Sequence, residues 1–372
     1  MLFSQCDIDV LRLLCWCQYV QPSDLNAISF ETERENLIRL GLVRRHAGSG
    51  AFALSGSGRL FLQEVLDGKI PQLTQSYHSD AIQRRLRLAR MALTSYQGGI
   101  DLFTTSTAEL SDSPKMFLSA ITRSRGSNPW GSTRIAAIAH LGDTLYAVHY
   151  VCLGIGKIAL TDELTAFTNQ TAQFRNTKRA FLFAGESYGS ILAELEQTGK
   201  SDNKLITYGE AYRCLQQPVH LLSCDSTGAV QLQIMSVPDY RRRLTQAALK
   251  NQYRPPPKDI PAWDAVFHGL PFVMAADMDL RRIDAAIQSA NANGMKQIAI
   301  AALRGQAETV LFPRYRDTGL ARVFVLTDDA ISEVTGRPPV PYVPPRTQFL
   351  TSKGDVVDAP PIQAAGKAGR SR

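Results

Sequence analysis

Residues 271–303 read PFVMAADMDLRRIDAAIQSANANGMKQIAIAAL. A short apolar run, an amphipathic stretch and a second short apolar run give strand, helix, strand: PFVMAAD, LRRIDAAIQSAN and QIAIAAL. Downstream, helix-like AETVLFPRY leads to a further strand, ARVFVLTD. Upstream, RIAAIAHL and TLYAVHYV flank a hairpin turn at Gly142-Asp143, followed by helix-like TDELTAFTNQTAQF, strand AFLFA, helix SILAELEQ and strand KLITY. VHLLSCD and AVQLQIM read as strands around a turn at Ser226-Thr227-Gly228, with PDYRRRLTQAALKNQ after them. Hairpins mixed with strand-helix-strand units predict an α/β domain with a mixed sheet over residues 131–335, and the recurring succession suggests two related halves. A proline-rich stretch, YRPPPKDIP at 253–261, interrupts it.

Ahead of that domain, residues 7–66 run helix, short helix, helix, hairpin, helix. Ile8, Leu11 and Leu14 share one face of the first helix. Ser23 is placed to cap the second helix and Ser29 the third, FETERENLIRLG, with Gly41 as its stop. LVRRH and AFAL make a hairpin with a tip at Ala47-Gly48-Ser49-Gly50. The succession ENLIRLGLVRRHAGSGAFALSGSGRLFL is similar to the third helix, wing and closing helix of a winged helix-turn-helix, assigned to residues 1–67. That resemblance implies double-stranded DNA as partner, with Asn36 and Arg39 as base readers and Arg44, Arg45 and His46 on phosphates. Glu31 and Glu35 on the same helix, with Glu33 beside them, oppose it, and a winged helix used for protein contacts or dimerisation is the competing reading.

Residues 68–130 form a connector built on a helix from about Ser76 to Tyr96. Its apolar stripe is Ile82, Leu86, Ala89 and Leu93, and its other side carries Arg84, Arg85, Arg87 and Arg90. Arg84 and Arg87 extend the DNA footprint, or the run is simply a solvated face. Residues 336–372 hold seven of the nineteen prolines and are expected as a basic, disordered tail.

With 372 residues, 44% of them hydrophobic, the chain has ample material for a buried core, and a net charge of +7 suits a polyanionic partner without requiring one. The N-terminus carries Asp7, Asp9 and Arg12 within its apolar pattern, so neither a signal peptide nor a membrane insertion is expected and the location is cytoplasmic. Cys6, Cys15, Cys17, Cys152, Cys214 and Cys224 form no zinc-ligand spacing and are expected as reduced, mostly buried thiols.

FLFAGESYGSIL at 181–192 contains G-x-S-x-G around Ser187, the pattern of a nucleophile elbow. Asp225 and His268 are the partners that chain order allows, yet no glycine-rich oxyanion loop precedes the serine. Gly185 and Gly189 are equally suited to a tight strand-to-helix turn, where they would supply backbone freedom. Gly154-Ile-Gly156-Lys-Ile-Ala159 lacks the strand-loop-helix setting of a dinucleotide fingerprint. Glu186, Asp277, Asp279, Arg304, Asp328 and Asp329 fall at predicted strand ends. Of these Asp277, Asp279 and Glu186 are the weak catalytic candidates, able to hold Mg²⁺ for phosphodiester cleavage, with Asp279 equally placed as a helix cap. No resident metal or cofactor is otherwise expected.

The winged helix, the arginine-rich helix, and the phrases SNPWGSTRIAAIAHLGDTLYAVHYV and GLPFVMAADMDLRRIDAAIQSANANGMKQIAIAAL together resemble the replication-relaxation proteins of plasmids and integrative conjugative elements, over about residues 7–330. The resemblance implies a DNA-associated role in plasmid replication, relaxation or conjugative transfer, with a nuclease-like α/β domain. The strand after Asp277 supplies no Glu-x-Lys, so the chain departs from a working nuclease. Three readings follow: a DNA-binding accessory or regulatory protein, a divalent-metal nicking nuclease, and a protein-interaction module docking onto other replication or transfer proteins. A homodimer is compatible with each.

Overall fold

The structure is a computed structural model and describes residues 3–73, 78–123, 128–152, 157–197, 204–257, 260 and 262–344, with the backbone alone of 347–350 and 356–359. It divides into two compact units, Met1–Val340 and Pro341–Arg372. In the second, an antiparallel hairpin pairs 347–350 with 356–359, inside the tail expected to be disordered.

The first unit opens with α1 (Gln5–Cys17), where Ser4 and Asp7 cap each other's backbone amides. A 3-10 turn at Pro22–Ala27 leads to α2 (Glu31–Arg39), the hairpin β1 (Val43–Arg45) and β2 (Phe52–Leu54), and α3 (Gly56–Val65). Ser23 does not cap the 3-10 turn, because Pro22 fills its first position. Ser29 does not cap α2 either. The Phe30 amide donates to Glu33 instead, at 2.9 Å, while Ser29 accepts from the buried Arg34. Gly41 stops α2 as expected, in a left-handed conformation at φ 70°.

Helix α4 (Ser79–Gln97) begins within the described residues; position 76 lies outside them. Strand β3 (Lys115–Leu118) and α5 (Ala120–Arg123) follow, then β4 (Ile135–Leu141), β5 (Thr144–Tyr150), α6 (Leu160–Gln170), β6 (Lys178–Gly185), α7 (Tyr188–Leu195), α8 (Tyr208–Cys214) and β7 (Val219–Ser223). These five strands lie in the order β3-β4-β5-β6-β7, antiparallel from β3 to β5 and parallel from β5 to β7. After α9 (Ser226–Met235) and α10 (Tyr240–Leu249), a second sheet is built from β8 (Ala265–Phe267), β9 (Leu270–Met274), β10 (Ile298–Ala302) and β11 (Ala321–Val325), in the order β11-β10-β9-β8. Only β8–β9 is antiparallel. Helix α11 (Leu280–Ala292) joins β9 to β10. The short α12 (Arg304–Gln306) runs on as a π-helix at Ala307–Arg316, and α13 (Asp328–Thr335) follows β11. The expected mixed α/β class is what forms, and the Leu221 amide, donating to the Met278 carbonyl at 3.2 Å, ties the two sheets together.

Two expected strands are corrected. AVQLQIM is not a strand but most of α9, whose residues from Thr227 to Met235 are all buried. A helix enclosed on every side has no polar face to reveal a 3.6-residue period. Its alternation comes from Gln231 and Gln233, both buried and hydrogen-bonded. KLITY makes only a bridge between Ile206 and Ile158, and the chain then enters α8 through a Thr207–Glu210 capping box.

Helix α9 starts so close to β7 that a Cβ at Gly228 would stand 1.7 Å from the Ser223 carbonyl oxygen. Gly228→Ala should therefore destabilise the protein by roughly 1–3 kcal/mol through overpacking. At Gly189 a Cβ would meet only the Ser187 hydroxyl, at 3.8 Å, so Gly189→Ala should stay within about 0.5 kcal/mol of the parent. Urea unfolding of both variants checks the contrast; equal midpoints would contradict it.

Candidate functional site

The residues expected on DNA are only partly free. Asn36 and Arg39 are exposed and bond to each other at 2.5 Å across one helical turn. Arg45 pairs with Glu35 at 2.5 Å and lies over Phe52. Glu33 is spent on the Phe30 amide, so of the three carboxylates on α2 only Glu31 has no partner among these contacts. Arg44 is half-buried at a cavity that Arg59 also lines. His46 meets Ser49 at 3.1 Å and Tyr19 edge-on.

The acidic candidates do not converge. Asp277 is fully buried; its carboxylate accepts from Arg241 at 2.5 Å and from Tyr240 at 2.8 Å, with His220 at 3.7 Å and Arg282 at 3.9 Å. Burial alone would raise its pKa, but the Arg241 and Arg282 guanidiniums more than offset that and hold the carboxyl well below the usual range. Asp279 caps α11 by accepting from the Arg282 amide at 3.2 Å. Glu186 is exposed and pairs with Arg90 at 2.8 Å. Arg304 lies 4.0 Å from Glu308, and Asp328 and Asp329 open α13 behind its cap Thr327. Among the described residues no three His, Cys, Asp or Glu side chains gather as a metal site.

Ser187 caps α7 in a reciprocal pair with Ser190, and Asp225 caps α9. His268 is exposed on the β8–β9 turn, and among the described residues no contact joins the three. Neither Gly185 nor Gly189 has a positive φ; Gly185 is required by close packing, since a Cβ there would stand 2.5 Å from Ile191. Gly154 and Gly156 lie outside the described residues. The six cysteines are free thiols: Cys15, Cys17 and Cys224 are buried and Cys214 is exposed.

A further concentration of positive charge is one the sequence only half revealed. Arg84, Arg85 and Arg87 of α4 line a cleft of about 340 Å³ together with Arg123 of α5, Arg134 and Tyr208. Arg123 is fixed by the Thr133, Gly131 and Ile135 carbonyls at 2.8–3.3 Å. No carboxylate lines the cleft among its described residues. Behind it sit Glu163 and His149, both buried, with Glu163 accepting from the Arg134 amide at 2.6 Å and its other oxygen 3.9 Å from His149 Nε2. Burial pushes the Glu163 carboxyl from 4.5 up to about 7, against the pull of the Arg134 amide and the Arg123 guanidinium. Burial also pulls the His149 imidazole from 6.5 down to about 3. Sequence reasoning missed Arg123, Arg134, Glu163 and Tyr208, because only the run on α4 is contiguous.

No family model matches the chain, and no curated protein or solved structure matches it either.

Two predictions follow from these buried groups. Asp277→Ala leaves Arg241 and Arg282 without their shared counter-ion and should cost about 3–5 kcal/mol by urea unfolding. For Glu163, the folded protein holds the proton more tightly than the unfolded chain, so its contribution to stability falls as pH rises from 4.5 to about 7. His149 has the opposite sign: stability is lost as pH falls from 6.5 toward 3, so the two offset each other where the windows overlap. Glu163→Gln keeps an acceptor for the Arg134 amide and removes the titration. Its stability relative to the parent should climb across that window by on the order of 3 kcal/mol, at about 1.4 kcal/mol per pH unit; a pH-independent difference would refute the assignment.

Proposed function

We propose that this chain is a DNA-binding accessory or regulatory protein of a mobile genetic element, akin to the replication-relaxation proteins, and that residues 1–67 act as a winged helix-turn-helix on duplex DNA. The observation that carries the reading is the seating of α4 on the hairpin. Ile82 and Leu86 pack with Tyr19, Ala51 and Ala53 in one apolar cluster. Arg84 and Arg87 therefore stand on the same rigid body as Arg39 and Arg44, and phosphate contacts from one body set the register of a duplex. The pairing of Glu35 with Arg45 and of Glu33 with a backbone amide also lessens the repulsion that the α2 carboxylates would exert. Apart from β3, the two α/β sheets share a strand order, a hairpin extended by two parallel strands, and this supports an origin in two related halves.

Metal-dependent nicking is less favoured, since Asp277 is sealed beneath Arg241 and Asp279 serves as a cap. A protein-contact role has its own support: Phe30 at the start of α2 and Leu60 on α3 are 77% and 66% exposed.

Fluorescence anisotropy with a DNA duplex across a salt series tests the main reading. Arg84→Ala and Arg87→Ala should each reduce the slope of log K against log salt by about 0.9. Arg45→Ala should change it less, because Glu35 already neutralises that charge. Salt-independent binding, or slopes untouched by all three variants, would overturn the proposal.

A further inference from the structure

We propose that the cleft between α4, α5, β4 and α8 binds the phosphate and sugar-base body of a single nucleotide, free or at the end of a DNA strand. The inference shares Arg84 and Arg87 with the duplex reading but names a different ligand, since a cleft of about 340 Å³ has the size of a small-molecule site and admits one nucleotide rather than a double helix.

Three observations meet here. Five arginines, Arg84, Arg85, Arg87, Arg123 and Arg134, line one small volume without a lining carboxylate among the described residues. Burial lowers the pKa of both Arg85 and Arg123, the mark of cations held partly out of water. Such cations gain most from an entering anion, and guanidiniums match phosphate oxygens in planar, paired hydrogen bonds. Secondly, Tyr208 lines the cleft, is fully buried, and carries a hydroxyl with no hydrogen-bond partner among the described residues. A buried hydroxyl of this kind is poised to donate to a ligand. Thirdly, the rest of the wall is apolar: Leu88, Ala120, Ile135 and Ala136, with the Tyr150 ring beside them. A bare phosphate would leave that wall uncovered, whereas a base or sugar would cover it.

Arg123 already spends its N–H groups on backbone carbonyls, so it contributes fixed charge and belongs to the scaffold. Arg134 is exposed, and among the described residues its side chain makes no hydrogen bond that holds the fold, which makes it the clean probe.

Isothermal titration of the full chain with dAMP, ATP, inorganic phosphate, and single-stranded oligonucleotides bearing a 5′-phosphate or a 5′-hydroxyl tests the site. A nucleotide should bind at least about tenfold more tightly than inorganic phosphate, and Arg134→Ala should weaken it by about tenfold, the loss of one charge-assisted contact. Tyr208→Phe should weaken it several-fold with unfolding midpoints unchanged. Preference for free nucleotide over both oligonucleotides identifies a soluble effector; preference for the 5′-phosphorylated strand identifies a strand end. Undetectable binding of both at millimolar concentration, binding no tighter than phosphate, or binding unmoved by both variants overturns the proposal. Arg44→Ala should spare nucleotide binding while lowering duplex affinity, so the two readings fail separately.

Discussion

The burial of α4 is the constraint on which the rest of the first unit depends. Ile82 and Leu86 close the cluster around Ala51, Ala53 and Tyr19, while Leu88, Ala89, Met91, Ala92 and Leu93 join the main core under the sheet. Arg90 then reaches Asp24 at 3.5 Å on one side and Glu186 at 2.8 Å on the other, linking the N-terminal helices to the β6–α7 turn. At its C-terminus, Gly98 lies so close to α9 that a Cβ would stand 2.8 Å from the Ala229 carbonyl oxygen, and Arg337 donates to the Gly98 carbonyl. A helix fixed at both ends and along one face has no rotational freedom left. Its remaining face must carry Arg84, Arg85 and Arg87, and the wall of α5 and β4 stands opposite.

How much of this was legible follows from what each segment buries and against what. Strand β10 is five consecutive buried residues, and a strand covered on both faces must read as an unbroken apolar run, so 298–302 was plain. The α11 cap and the Gly142 turn, at φ 57°, were plain because both are local chemistry. Helix α9 was not, because its burial is complete and its two glutamines are answered by Leu221 and by the distant Asp277, Thr335 and Pro338. The serine pattern at Ser187 misled for a related reason: a strand-to-helix turn needs a cap and a close approach whether or not chemistry occurs there, and Ser187 with Gly185 supply only those. For the site, the α4 arginines were visible and their facing partners were not, since Arg123 and Arg134 come from segments whose register only the β3–β4 pairing sets.

Asp277 and Glu163 show why buried acids resist reading from sequence. Both are carboxylates almost wholly removed from water, and burial alone pushes each toward neutrality. Asp277 receives two guanidiniums and a phenol, so it stays charged and acts as the hub joining α10 to the β9–α11 loop. Glu163 receives backbone amides and, among the described residues, no direct guanidinium contact, so burial pushes its carboxyl up to about 7. The difference lies entirely in which cations the fold delivers. Arg241 and Arg282 belong to elements that bracket Asp277, whereas Arg123 is turned away onto the carbonyls of 131–135.

That turning away also explains how one small chain can hold five guanidiniums around a single cleft. Carbonyl dipoles offset part of their mutual repulsion while leaving the positive charge in place, and Arg123 is anchored in this way. Ion pairs elsewhere, such as Arg45 with Glu35 and Lys178 with Asp143, cancel their own charge locally. Among the described residues the cleft arginines have no such ion pair, so their positive charge is expressed at one place, over a hydroxyl and an apolar wall. Charge gathered without a counter-ion destabilises the free protein, and a fold that maintains it at a concave site is arranged for an anion to enter.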